Sequence, residues 1–440
     1  MRKHISLCLL ACASALLLSG CMIKTVDELY MLPKHSDEYN NLQAAIDQTM
    51  QQGSGYCAPI SGVNQQSVQL ADLDGDGEDE AIVFLKDSSE KTLRACIFDQ
   101  SDGIYRSIAT IEGTGTAFAC CEYAQLDDTP GLDLILCRQL SDTVSQSMSA
   151  YSLHDGHVVE LMSTTYSEYT TADLDSDGRK DIFLLRFDTE SRMWISELFR
   201  YHAGLLEREP EAHLSVGAQS VKRIISGNLM QDVPAVFVAS TYEDESIVTD
   251  VFAFRNGTFQ NVTSSDGLST QTVRSYFVYA SDIDYDGLIE LPELISLPAS
   301  EESGDAYSLI RWFNLDLKNN KTVKMTTYHR FASGWYIVLP EVWENQITIS
   351  RGEEVLGVQG IVFSRWNDTE SPDPIFTVYA FSGEDRNRIA EEDGRFILSE
   401  KGDVTYSAKI GTSEWASDLT PQKLKQMFNY IHVDWNSGET

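Results

Sequence analysis

A recurring loop-and-strand unit constrains this chain more than any other feature. Residues 171–185, TADLDSDGRKDIFLL, set Asp173, Asp175 and Asp177 at alternate positions, follow them with Gly178, and place Asp181 ninth. The pattern returns in ADLDGDGEDEAIVFL, with Asp72, Asp74, Asp76, Gly77 and Glu80. It returns again in SDIDYDGLIELPELI, with Asp282, Asp284, Asp286, Gly287 and Glu290. Two eroded copies lie between them. AQLDDTPGLDLIL keeps Asp127 and Asp133, and SGNLMQDVPAVFV keeps only the outline of a loop followed by a strand. First positions at residues 72, 125, 173, 227 and 282 give spacings of 53, 48, 54 and 55. Self-similarity at such a period marks a repeat architecture.

A second turn series keeps the same beat. Asp102-Gly103, Asp155-Gly156, Ala203-Gly204 and Asn256-Gly257 each sit between apolar runs, with a weaker Asn319-Asn320 after them. Such pairs favour the positive φ angles of two-residue hairpins. The turn glycine follows the loop start by 31, 31, 31 and 30 residues; only the last repeat stretches. Each unit reads as strand, acidic loop, two further strands, tight hairpin and strand. Four strands in about 50 residues is the size of a propeller blade.

The loop chemistry points to a hard cation. Oxygen ligands at positions 1, 3, 5 and 9, a glycine at 6 and a backbone carbonyl at 7 suit Ca²⁺. The seventh positions are Glu78, Arg179 and Leu288. An EF-hand would continue into an amphipathic helix with glutamate at position 12. Here the twelfth residue of the middle loop is Leu184, inside the short apolar run Ile182-Phe183-Leu184-Leu185. That is a strand. Glu293 does hold position 12 of the last loop, but no paired amphipathic helices flank it.

Residues 66 to about 330 therefore resemble the FG-GAP/VCBS repeats of integrin α-chain-type β-propellers, whose blades carry D-x-D-x-D-G-x-x-D loops. The three intact loops match that motif, with glutamate ninth in two of them. The resemblance implies a structural Ca²⁺ held within each intact blade. The expected fold is mainly β, a propeller of four-stranded blades. Five blades are expected to close before about residue 330, with seven as the alternative the chain length accommodates.

The chain opens MRKHISLCLLACASALLLSGC. A basic start, a short apolar stretch and small residues before Cys21 mark a secretory signal rather than a membrane span. Leu18-Ser19-Gly20-Cys21 resembles a bacterial lipobox. That resemblance implies a signal peptide over residues 1–20, diacylglyceryl attachment at Cys21, and a body tethered at the extracytoplasmic face of a cell membrane. Residues 21–65 then supply the anchor, a spacer and one helix, with Ser36 as its cap and Gly53 as its stop. The net charge of −34 repels nucleic acid and anionic membrane surfaces. Beyond Cys8, Cys12 and Cys21 the cysteines are Cys57, Cys96, Cys120, Cys121 and Cys137. Their number is odd and no CxxC occurs. Buried thiols are the expected state, with a Cys121–Cys137 pair across a hairpin as the alternative.

After residue 330 the acidic loops stop and tryptophan becomes frequent, with Trp335, Trp343, Trp366, Trp415 and Trp435. Strand-like runs and a helix start at Thr420-Pro421 suggest a separate α+β domain over residues 331–440. Its aromatics belong either to a core or to a carbohydrate or peptide groove. None of the eight histidines sits in an H-E-x-x-H setting, and no G-x-S-x-G, phosphate loop or dinucleotide fingerprint occurs. The expected function is non-enzymatic: a surface-anchored interaction or scaffold module whose partner is a protein or polysaccharide. A cell-envelope hydrolase, or a ligand-capturing lipoprotein with its site near the C-terminus, is the alternative.

Overall fold

The structure is a computed structural model that describes residues 37–432, apart from 51–52, 88–91, 102, 141–145, 155, 244–245, 276–277, 299–306 and 367–370. The signal peptide, Cys21, the spacer, Ser36, Asp102, Asp155 and Trp435 lie outside the described residues.

The chain is mainly β, in six antiparallel sheets that follow one another in sequence. The first contains Val68–Ala71, Glu80–Asp87, Thr92–Ser101 and Ile104–Thr114, with Ser54–Tyr56 added on the edge that also takes Val68–Ala71. The second is Ala117–Ala124, Asp133–Gln139, Gln146–His154 and His157–Tyr166. The third is Glu168–Ala172, Asp181–Asp188, Met193–His202 and Leu205–Arg208, with Ala212–His213 in line after the last strand. Val221–Met230, Val233–Tyr242, Ser246–Arg255 and Thr258–Asn261 make the fourth.

The hairpins expected from the turn series join the last two strands of these sheets. Ser101 pairs with Ile104, His154 with His157, His202 with Leu205 and Arg255 with Thr258. Ala203-Gly204 and Asn256-Gly257 have positive φ at both positions, the geometry such turns require.

In the first four repeats the strand after the loop is centred on an apolar run because both of its faces are covered. In Glu80–Asp87, Ile82 and Phe84 face the second sheet, while Ala81, Val83 and Leu85 face the other way. Leu134 and Leu136 point back to the first sheet, and Ile135 and Cys137 forward to the third. Ile182 and Leu184 face the second sheet, Phe183 and Leu185 the fourth. Each such Val, Leu, Ile or Phe side chain, fully buried, contributes about 1.5–3 kcal/mol.

The outer face of the first sheet is covered by helix α1, Asp37–Thr49, through Leu42 and Ile46. Among the described residues no hydrophobic cluster joins the fifth or the sixth sheet to the first.

The domain boundary expected at residue 330 falls inside the fifth sheet. That sheet contains Leu291–Ser296, Ser308–Leu315 and Lys321–Arg330, then Trp335–Leu339, and finally Phe428–Tyr430 from the far end of the chain. The sixth sheet, Ile347–Val355, Val358–Arg365, Asp373–Ser382, Val404–Ile410 and Phe396–Lys401, packs on it through one continuous core. Trp335 and Trp343 are buried in that core rather than lining a groove. Two short helices, α2 (Arg386–Ala390) and α3 (Pro421–Met427), accompany it. Thr420 caps α3 through its side chain, as expected from Thr420-Pro421.

A disulfide forms where buried thiols were expected, and it is not the alternative Cys121–Cys137 pair. A register shift between Phe118 and Cys120 sets Cys120, not Cys121, opposite Cys137, and these two form a disulfide. Cys121 turns to the opposite face and is a buried free thiol.

Candidate metal loops

The three intact loops share one internal geometry. The first carboxylate accepts from the glycine N–H at position 6: Asp72 from Gly77 (3.1 Å), Asp173 from Gly178 (3.0 Å) and Asp282 from Gly287 (3.0 Å). Gly77, Gly178 and Gly287 all have φ near +90°, where a side chain would be strained. The third carboxylate accepts from the N–H at position 5, and the fifth from the N–H at position 7. The ninth turns back to the N–H at position 2: Glu80 to Leu73 (2.7 Å), Asp181 to Leu174 (3.0 Å) and Glu290 to Ile283 (3.0 Å).

These bonds converge the carboxylates at positions 1, 3 and 9. Asp72, Asp74 and Glu80 have ligand oxygens within 4.8 Å of one another, as do Asp173, Asp175 and Asp181, and Asp282, Asp284 and Glu290. The ninth member is buried in every case. Burial, helped by the neighbouring aspartates, pushes Glu80, Asp181 and Glu290 up to about 7. Three converging carboxylates, one of them desolvated, form an all-oxygen donor set that fits a hard cation.

The position-5 residues Asp76, Asp177 and Asp286 stand outside these groups. The position-7 residues Glu78, Arg179 and Leu288 each donate an N–H to the fifth carboxylate. Glu293, the one residue at an EF-hand twelfth position, lies on a strand and pairs with Arg311 (3.1 Å) and Lys321 (3.3 Å).

The sequence reading missed the basic side chains that reach two of these loops. Arg200 pairs with Asp175 and lies 3.8 Å from Asp181. Lys324 pairs with Asp286 and lies 3.5 Å from Asp284. No ion pair to the first loop occurs among the described residues. Each of these cations comes from a later strand, so no local motif signals it.

The loops also stack on one another. The N–H at position 8 of one loop donates to the position-1 carbonyl of the loop before it: Leu132 to Asp72 (2.9 Å) and Lys180 to Gln125 (2.7 Å). Ile289 donates in the same way to Asn228 (2.9 Å). That bond corrects the frame of the fourth loop, which starts at Asn228 rather than at residue 227. Buried Leu229 then matches Leu73, Leu126, Leu174 and Ile283 at position 2. The fourth loop is cut to a tight turn closed by the Met230–Val233 pair. In the second loop Asp133 keeps the ninth-position role, accepting from Leu126 (2.7 Å) and Asp127 (3.0 Å).

Comparison with known proteins finds no matching family and no matching curated protein. Among solved structures, the exotype rhamnogalacturonan lyase YesX is similar at 13% identity and a TM-score of 0.26, over 69% of this chain and 60% of that one. The chain thus spans less than two thirds of the lyase. Sqt1 of Saccharomyces cerevisiae is similar at 9% identity and a TM-score of 0.30, over 71% of this chain and 95% of that one. A Lactobacillus plantarum protein is similar at 10% identity and a TM-score of 0.29, over 72% of this chain and 85% of that one. Likeness at these scores carries no functional argument.

Proposed function

We propose that this chain is a lipid-anchored, calcium-stabilised array of FG-GAP/VCBS-type blades, displayed at the outer face of a cell membrane as an interaction platform. One observation carries the reading: three loops at repeat spacing each converge three carboxylates within 4.8 Å. Calcium relieves their mutual repulsion and fixes each loop against the next. The function follows from rigidity, since stacked sheets braced by ions hold their connecting loops in a fixed array for a partner to meet. The partner is a protein or polysaccharide, because a net charge of −34 repels nucleic acid. The Leu18-Ser19-Gly20-Cys21 sequence supports attachment at Cys21.

The test is a set of thermal melts in calcium and in chelator, for wild type and for Asp173→Ala. Extracellular calcium modules bind with Kd of roughly 10⁻⁴–10⁻³ M, so about 1 mM calcium stabilises each loop by about 0.4–1.4 kcal/mol. Calcium should raise the wild-type midpoint by several degrees, and Asp173→Ala by less. Identical midpoints in calcium and chelator would refute the reading.

A further inference from the structure

The three intact loops match one another, but what faces them differs. The residue after the ninth carboxylate pairs with the following strand in the same way each time: Ala81 with Phe98, Ile182 with Phe199 and Leu291 with Phe313. In an antiparallel register the next residue of that strand stands opposite the ninth carboxylate. It is Asp99 opposite Glu80, Arg200 opposite Asp181 and Asn314 opposite Glu290. One position thus carries an acid, a base and an amide.

Arg200 reaches two of the three converging carboxylates of its loop. It pairs with Asp175, and its Nε lies 3.8 Å from Asp181. Glu209 at 2.9 Å and the ring of Phe254, its centre 5.0 Å from the guanidinium carbon, hold the side chain there. Asn314 instead donates from Nδ2 to Glu290 Oε1 (2.6 Å), which aims the carboxylate without adding charge. The cation near that loop, Lys324, reaches one of the three converging carboxylates, Asp284, at 3.5 Å. Asp99 is half-buried, and among the described residues no ion pair neutralises it. Burial raises the Asp74 and Glu80 carboxyls, and the charge of Asp99 adds to the effect on both. The first group therefore has a further acid beside it where the third has an arginine.

We propose that this facing residue sets the order in which the loops take calcium: the first loop fills at the lowest concentration, the fifth next and the third last. The proposal rests on the calcium binding proposed for the loops and adds its regulation. Calcium affinity rises with the negative charge of the ligand set. Asp99 increases that charge at the first site. Arg200 cancels part of it at the third, and an entering ion must displace the guanidinium from two ligands and then tolerate its charge nearby. Arg200 is thus the third loop's own counter-ion, relieving carboxylate repulsion when calcium is scarce.

Calorimetric calcium titration of the full chain without its signal peptide tests this, with the sites assigned through Asp72→Ala, Asp173→Ala and Asp282→Ala. The first site should bind at least about tenfold more tightly than the third. Arg200→Asn should tighten the third site, a gain that removal of a merely structural arginine would not give. Exchanging the two residues, Asp99→Arg with Arg200→Asp, keeps the net charge and should make the third site the tight one. Asp99→Asn with Arg200→Asn is the milder pair, for use if the exchanged chain lacks a cooperative melt in chelator, and should bring the first and third sites to similar affinity. Absence of calcium binding by the wild type would overturn the calcium reading and this proposal with it. Three sites of equal affinity, a third site weakened by Arg200→Asn, or an order that survives the exchange would overturn this proposal alone.

Discussion

Acidification offers a quantitative test of how the fifth sheet is packed. His329 is 8% exposed, its ring 4.9 Å from Tyr336, 5.4 Å from Phe331 and 5.9 Å from Trp312. Burial among these rings drives its pKa down to about 3. The native state therefore binds this proton less readily than the unfolded chain does. The stability it contributes is present above about pH 6.5 and is lost as pH falls toward 3. Between about pH 7.5 and 4.5 the expected loss is about 2.7 kcal/mol, an order-of-magnitude figure at roughly 1.4 kcal/mol per pKa unit. Glu80, Asp181 and Glu290, raised to about 7, act in the opposite sense and favour the native state as pH falls. The wild-type curve alone thus mixes the two effects. His329→Phe keeps a ring in the site and removes only the titration. Urea unfolding of both proteins across this range, in chelator, isolates the histidine as the difference between the curves. The variant should lose about 2–3 kcal/mol less than wild type on acidification. Parallel curves would refute the assignment of a buried, neutral imidazole.

Replacing Cys21 with Ala should release the protein from the membrane fraction, and unchanged partition would remove lipidation from the reading. Gly131→Ala puts a Cβ 2.1 Å from the Leu73 carbonyl oxygen, where the second loop rests on the first; a loss of about 2–4 kcal/mol in urea unfolding is expected. Lys324→Ala removes the cation that occupies the fifth loop, so calcium titration should find tighter binding there, and unchanged affinity would exclude competition by the lysine. A chain ending near residue 334 deprives Tyr328 of Trp335 and Phe363 and the fifth sheet of two strands. That fragment should lack a cooperative melt, and a stable fold from it would place the boundary back near 330.

The parts of the fold legible in the sequence are those whose signal is local. Runs such as AIVFL and IFLL mark strands covered on both faces, and the turn pairs fix the last hairpin of four sheets. Legibility ended where the partner lay far along the chain. SGWYIVLP reads as a strand, but nothing in it says that it extends the sheet of residues 291–330. Nor does the three-residue strand Phe428–Tyr430 announce that it closes the same sheet. The Cys120–Cys137 disulfide was not legible, because the register shift after Phe118 that sets these two opposite each other leaves no mark in composition. In the site, the carboxylates at positions 1, 3 and 9 were readable from spacing. Arg200 and Lys324 were not, since each reaches its loop from a strand 25 to 38 residues away.

The eroded loops separate two jobs that the acidic motif combines. In the second loop position 1 is Gln125 and position 5 is Thr129, so most of the cation chemistry is gone. Asp133 nevertheless remains, 1% exposed, and satisfies the N–H groups of Leu126 and Asp127. Losing that carboxylate would leave two donors unpaired beside the core, at about 1–3 kcal/mol each. The N–H groups that face the carboxylates at positions 1 and 5 lie instead in an exposed turn, where water can replace the lost acceptor. The fourth loop reaches the same end by shortening, because its turn closes with strand pairs and needs no ninth carboxylate. The ninth position is thus the structural element of the loop, and positions 1 and 3 complete the three-carboxylate group that makes it a candidate cation site. The first, third and fifth loops have both, and the calcium response should follow those three loops and no others.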